Sequence, residues 1–136
     1  MAGENLVRAG SELAVLAALA ARARGPSEIA DLRAWFGSKA APVIARLVAV
    51  LRAFGVRAEP TDDGLVIEGR PEGPLPAADV DAEGDAGAAA TATLLGLLAD
   101  GRTRVRGVDA LAMRFPRFAG TLRALGVDAR VEERTV

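Results

Sequence analysis

The sequence predicts an α/β (α+β) fold made of two tandem β-α-β-α-β(β) units, with small mixed sheets packed on Ala/Leu-rich helices. Three observations predict it. LRAFGVRAE (Leu51–Glu59) recurs as LRALGVDAR (Leu122–Arg130), each closing an apolar run on a glycine followed by valine, a helix stop that feeds a strand. Upstream of each copy stands an Ala/Leu-rich helix, SELAVLAALAARARG (Ser11–Gly25) and DAGAAATATLLGLLADG (Asp85–Gly101), with a capping residue at its start and glycine at its end. Between these landmarks lies a second helix with apolar residues at a 3.6-residue period.

Taken in order, the first helix is apolar almost all round, which predicts burial on most sides. The strand after it is read in SEIADLR (Ser27–Arg33), and Trp35-Phe36 falls in the loop beyond. Val43, Ile44, Leu47, Val48, Leu51 and Phe54 then form the stripe of the amphipathic helix. VRAEP-TDDG-LVIEG reads as a hairpin turning on Asp-Asp-Gly, with its return strand at Leu65–Glu68. Residues 1–70 make the first unit, the Pro/Gly-rich residues 71–76 a linker, and residues 77–136 the second unit. In the second unit RTRVRGV (Arg102–Val108) is the strand after the Ala-rich helix, and Phe115, Phe118, Leu122 and Leu125 are the stripe. This copy is expected to lack the return strand and to leave a sheet edge open.

Composition narrows the chemistry. The chain of 136 residues suits one domain, and half of it is hydrophobic. Its formal net charge of −1 provides no field to attract nucleic acid. Cys, His and Tyr are all absent, so no thiolate, imidazole or phenol is available and no metal or cofactor is expected. No basic segment followed by an apolar run opens the chain, and the uncharged stretch 86–99 is too short to span a bilayer. The expectation is a cytoplasmic protein with no membrane partner.

These landmarks, in this order, resemble the C-terminal portion of the enolpyruvyl transferases, in particular the shikimate-pathway 3-phosphoshikimate 1-carboxyvinyltransferase type. LRAFGVRAEPTDDGLVIEG is similar to that family's helix–strand–hairpin passage, AMRFPRFAGTLRALGVDARVE to its closing segment, and DAEGDAGAAATATLLGLLADG to the segment with its Asp-His-Arg motif. The resemblance implies small mixed sheets backed by two parallel helices, three such units to each of two domains. It also implies a charged Lys-Glu-Ser-Asp-Arg motif before the amphipathic helix, where this chain has Lys39, Ala40, Ala41, Pro42 and Val43. The Asp-His-Arg motif falls on Asp85, Ala86 and Gly87, and a lysine near Phe-Pro falls near Met113 and Arg114. Enolpyruvyl transfer needs cations for two anionic substrates and acid/base groups for the enol carbon. Alanine, proline, valine and glycine supply neither, so a catalytically dead homologue, with no catalytic residues, is expected.

Other patterns compete for function. DVDAEGD (Asp79–Asp85) invites a calcium reading, but position twelve of such a loop is Ala90, so an exposed strand leading to an N-cap at Asp85 is preferred. Gly84 and Gly87 suggest a phosphate cradle, opposed by Asp79, Asp81, Glu83 and Asp85 around them. Arg102, Arg104 and Arg106 share one face of a strand, either solvated or offered to acidic groups of a partner. The binding residues expected are Trp35, Lys39, Arg102, Arg104, Arg106 and Arg114.

The function expected is a non-catalytic peptide- or protein-binding accessory module, a pseudoenzyme on a truncated transferase-like scaffold. Its specific partner would be a ribosomal precursor peptide in peptide natural-product biosynthesis. The alternative is a divergent or split enolpyruvyl transferase lobe, with Lys39, Asp85 and Arg114 converging on an anionic substrate. A third reading is a structural subunit of a complex. Two units without a third leave an apolar flank on the Ala/Leu-rich helices, so a homodimer is expected.

Overall fold

A computed structural model describes residues 3–114, 117–124 and 126–129; for 3–11, 110, 112, 114 and 118 it describes the backbone alone. The chain is a mixed α/β structure with small sheets. Helix α1 (Gly3–Ala21) leads into strand β1 (Pro26–Ile29), a short helix α2 (Leu32–Phe36), a 3-10 turn (Gly37–Lys39) and helix α3 (Ala40–Ala53). The hairpin β2 (Arg57–Thr61) and β3 (Gly64–Glu68) follows. Its centre strand is β3, antiparallel to both β1 and β2, so the sheet order is β1-β3-β2. The sheet is thus purely antiparallel where a mixed one was expected.

The first strand is shorter than the predicted Ser27–Arg33. Asp31 takes a left-handed conformation with φ 62°, and the chain turns into α2, placing Trp35-Phe36 in a helix rather than a loop. The hairpin turn secures this bend: Asp63 accepts from Leu32 N through its carbonyl at 3.0 Å and from Arg33 N through Oδ1 at 2.8 Å. These polar bonds from the distant hairpin turn override the weak strand preference of a Ser-Glu-Ile-Ala-Asp run.

In the second part, β4 (Leu75–Pro76) lies inside the stretch read as linker, with Leu75 fully buried. Strand β5 (Asp79–Asp81) and helix α4 (Ala86–Leu97) come next, then β6 (Ala99–Asp100) and β7 (Arg104–Arg106). The pairs β4–β6 and β5–β7 are parallel, as a helical crossover requires. The predicted strand Arg102–Val108 contracts to β7; two short helices follow, α5 (Asp109–Arg114) and α6 (Phe118–Ala124), and of the second stripe Phe118 and Leu122 fall on α6. Phe115 and Leu125 lie outside the described residues, as do 130–136; residues 127–129 form no strand.

The core is one cluster shared by both units. Leu51, Phe54, Val56, Leu65 and Ile67 pack where α3 covers the antiparallel sheet, and Ala88, Ala89, Ala92 and Leu95 of α4 join them. Fully burying a Leu, Ile, Val or Phe stabilises by about 1.5–3 kcal/mol. The two Ala-rich helices α1 and α4 pack on each other across the repeat. One sequence expectation fails here: Val15, Leu16 and Leu19 of α1 are 50%, 52% and 65% exposed, so this helix buries one side only. The stretch Leu32–Ala53 is long and apolar enough, by length and composition, to cross a membrane. It is broken at Gly37 (φ 56°), and its Ile44, Leu47, Val48 and Leu51 belong to the core.

The link between the units is tied to α1. Just beyond that helix, Arg22 Nη1 donates to Arg70 O at 2.8 Å and to Gly73 O at 2.7 Å, and Nη2 donates to Pro71 O at 3.2 Å. Beside it, Arg70 N donates to Ala21 O at 2.7 Å. A rigid fork is needed to reach three carbonyls at once. Arg22→Ala should lower stability by about 1–2 kcal/mol in chemical denaturation, and Arg22→Lys should recover only part of it. Gly69→Ala should cost more, because its Cβ would run into the carbonyl oxygen of Ala23. In contrast, Gly120→Ala, a helical site with nothing within 4 Å, should stabilise by about 0.5–1 kcal/mol.

Candidate functional site

The sequence places its one lysine in front of α3, and the structure explains what surrounds it. Lys39 closes the 3-10 turn as the N-cap position of α3, and no side chain caps the helix. Ala40 is 1% exposed and belongs to the core. Pro42 sits in the first turn, where its missing N–H breaks no helical bond. These residues therefore serve packing and helix initiation. Lys39 is exposed and, among the described residues, makes no hydrogen bond or ion pair. Trp35, 48% exposed, stands on α2 just before it.

Asp85 has a structural task. It is the N-cap of α4, with extended backbone (φ −88°, ψ 118°), and its carboxylate accepts from Ala88 N at 2.8 Å. Such a cap satisfies one of the orphan donors of a helix start. The same loop shows how the other acids of DVDAEGD are used. Asp81 Oδ1 accepts from Glu83 N at 2.8 Å, and Asp79 and Asp81 hold Arg106 at 3.0 and 3.7 Å. Glu83 reaches across to Arg46 of α3 at 3.5 Å. The exposed–buried–exposed pattern of β5 fits the strand-then-cap reading of this segment.

Among the described residues, no hydrogen bond or ion pair joins the expected binding residues to one another. Trp35 and Lys39 lie before α3; Arg104 and Arg106 lie on β7, and Arg102 precedes that strand. Arg106 is committed to Asp79 and Asp81 within the chain, so the arginine stripe is partly neutralised internally. The side chain of Arg114 lies outside the described residues, although its backbone ends α5. The Arg46–Glu83 contact was not legible beforehand: it joins residues of separate units and has no local sequence signal. Arg46 follows Lys39 by two turns, about 10 Å along the axis of α3. Chemically, these cations can hold an anion. The groups at positions 40–43, 86 and 87 provide no proton donor or acceptor.

Asp85 and Lys39 should separate in a mutational test. Asp85→Ala should cost about 1 kcal/mol through the lost cap. Lys39→Ala should stay within about 0.5 kcal/mol of the parent. Thermal and urea unfolding of both variants check this.

Comparison with known proteins places this arrangement. Residues 1–122 match the family model of EPSP synthase (3-phosphoshikimate 1-carboxyvinyltransferase). The chain is similar to the 3-phosphoshikimate 1-carboxyvinyltransferase of Roseiflexus sp. (strain RS-1), 39% identical over 132 residues that cover 97% of this chain and 28% of the relative. The enzyme of that name from Brevibacillus brevis is 33% identical over 118 residues, covering 87% and 27%. Among solved structures, EPSP synthase from Acinetobacter baumannii overlays with a TM-score of 0.79 at 23% identity, over 90% of this chain and 28% of that one. The enolpyruvyl transferase NikO from Streptomyces tendae overlays at 0.65 and 31% identity, over 88% and 26%. This chain spans less than a third of the length of these relatives, and it belongs to the EPSP synthase family of enolpyruvyl transferases.

Proposed function

We propose that this chain works as one lobe of an enolpyruvyl transferase, contributing a cationic wall to a site completed by protein outside it. The observation that carries this reading is the match over residues 1–122 to a family whose compared members are more than three times longer. The bare face of α1 at Val15, Leu16 and Leu19 supports it, because a helix side that apolar calls for further protein to cover it. In this reading Lys39 holds a phosphorylated or carboxylated ligand by charge, while proton transfer belongs to the completing part. Arg46 remains bound to Glu83 and steadies the approach of α3 to the loop before α4.

A second reading is a non-catalytic module that binds a peptide or protein partner on the same scaffold. It is favoured by one observation, the replacement of charged motif positions by Ala40, Ala41, Pro42, Val43, Ala86 and Gly87. In its specific form the partner is a precursor peptide. The bare face of α1 also suits a homodimer or a structural subunit.

Calorimetry with 3-phosphoshikimate and phosphoenolpyruvate separates the readings. The lobe should show saturable binding that Lys39→Ala weakens by about tenfold, equivalent to about 1.4 kcal/mol. Silence toward both ligands, at protein concentrations that retain the fold, would contradict it.

A further inference from the structure

Among the described residues, strand β7 has a neighbour on one side only. It pairs with β5 in the register Asp79↔Arg104, Val80↔Val105 and Asp81↔Arg106. Arg104 N donates to Ala78 O at 2.9 Å, and Arg106 O accepts from Ala82 N at 2.8 Å. Alternate residues of a strand turn their backbone groups to the same side, so those of Arg104 and Arg106 face β5. The backbone groups of Thr103 and Val105 therefore face away from it. Among the described residues no second strand lies there.

The internal repeat shows what kind of strand fits. β1 and β7 each follow the Ala-rich helix of their unit, beyond Gly25 and Gly101. Their exposure alternates in step: Ser27 and Ile29 are half-buried around exposed Glu28, and Thr103 and Val105 are half-buried around exposed Arg104. In the first unit, Gly25 O accepts from Gly69 N, and Ser27 and Ile29 stand opposite Ile67 and Leu65 of β3. Bonded pairs recur at every second residue of an antiparallel ladder, so positions 25, 27 and 29 bond to β3. Their counterparts 101, 103 and 105 include the residues on the open side of β7. That side is the place of one antiparallel strand, filled in the first unit by β3. The outer edges of the three-stranded sheet differ, since β1 begins with Pro26 and β2 contains Pro60. Proline interrupts a row of donors and guards an edge. Residues 101–107 contain none.

Charge selects the occupant. Arg106 is held by Asp79 and Asp81. Arg104, exposed on the same face, has no carboxylate partner among the described residues. β5 itself meets β7 with acids in register with both arginines and with Val80 in register with Val105. A second copy of β7 would set arginine against arginine, which is unfavourable for directly opposed residues. We infer that the open side of β7 takes an extended acidic segment of a partner polypeptide. It runs antiparallel, with carboxylates opposite Arg104 and Arg106 and an apolar residue opposite Val105.

Hydrogen exchange on the full chain tests this, with acetyl-Glu-Val-Glu-Val-Glu-amide as the probe. Exchange over residues 103–107 should slow by at least about fivefold at millimolar peptide. The same peptide with N-methylated valines, and its lysine-for-glutamate counterpart, should leave that exchange unchanged. Arg104→Glu should weaken the acidic peptide by about 5- to 10-fold and favour the lysine peptide. If that variant does not fold, the three peptides on the unaltered chain still decide. Unchanged exchange with the acidic peptide, or equal protection by either control, overturns the inference. It stands apart from the transferase reading, which is tested by phosphorylated ligands and not by exchange at 103–107.

Discussion

The packing of α1 on α4 is the constraint on which the rest of the molecule depends. Each helix turns small residues inward: Ala14, Ala17 and Ala21 on α1, and Ala88, Ala89 and Ala92 on α4 are buried. Small side chains let helix axes approach closely, and the two repeats then share one core rather than two. The same packing requires α4 to bury polar atoms, and it does so without cost to the ladder. Thr91 Oγ1 donates to Gly87 O and Thr93 Oγ1 to Ala89 O, each at 2.8 Å within the helix. With the helix pair fixed, the antiparallel sheet lies under α3, and the parallel pairs β4–β6 and β5–β7 flank α4. Arg22 holds the connection so that the two units keep their relative placement. The face of α1 turned away from α4 is left bare by the same arrangement.

Much of this was legible in the sequence because repetition is a strong signal. The recurrence of Leu-Arg-Ala-x-Gly-Val placed two helix ends, and the Asp-Asp-Gly turn placed the hairpin within a residue. What the sequence did not show was set by bonds between distant segments. Asp63 draws residues 31–33 out of the strand, and Leu75 enters the core from a stretch whose prolines and glycines read as linker. The exposed side of α1 fits the apolar flank expected on the Ala/Leu-rich helices and not burial on most sides, because apolar content does not say whether a neighbour exists on each side. The separation of α5 from α6 likewise does not show in a periodic stripe.

The candidate site was legible residue by residue and much less so as a geometry. The N-cap at Asp85 was read correctly, since Asp before an Ala-rich run has few other uses. Of the expected arginine alternation, Arg104 and Arg106 lie on β7 and Arg102 does not, and the pairing of Arg106 with Asp79 and Asp81 had no local signal. Lys39 stands at a helix start where Ala40 is committed to the core, and the side chains of Ala41, Pro42 and Val43 carry no acid or base. Membership in the family and the chemistry of this portion are therefore separate facts. The first rests on the match over most of the chain, and the second on which charged positions remain.

The proposed lobe needs protein outside it to complete its site. The most direct measurement is phosphate release from phosphoenolpyruvate in the presence of 3-phosphoshikimate, with the chain alone as catalyst. A lobe whose site is completed elsewhere should give no release above the protein-free background. Turnover by the chain alone, removed by Lys39→Ala, would contradict it.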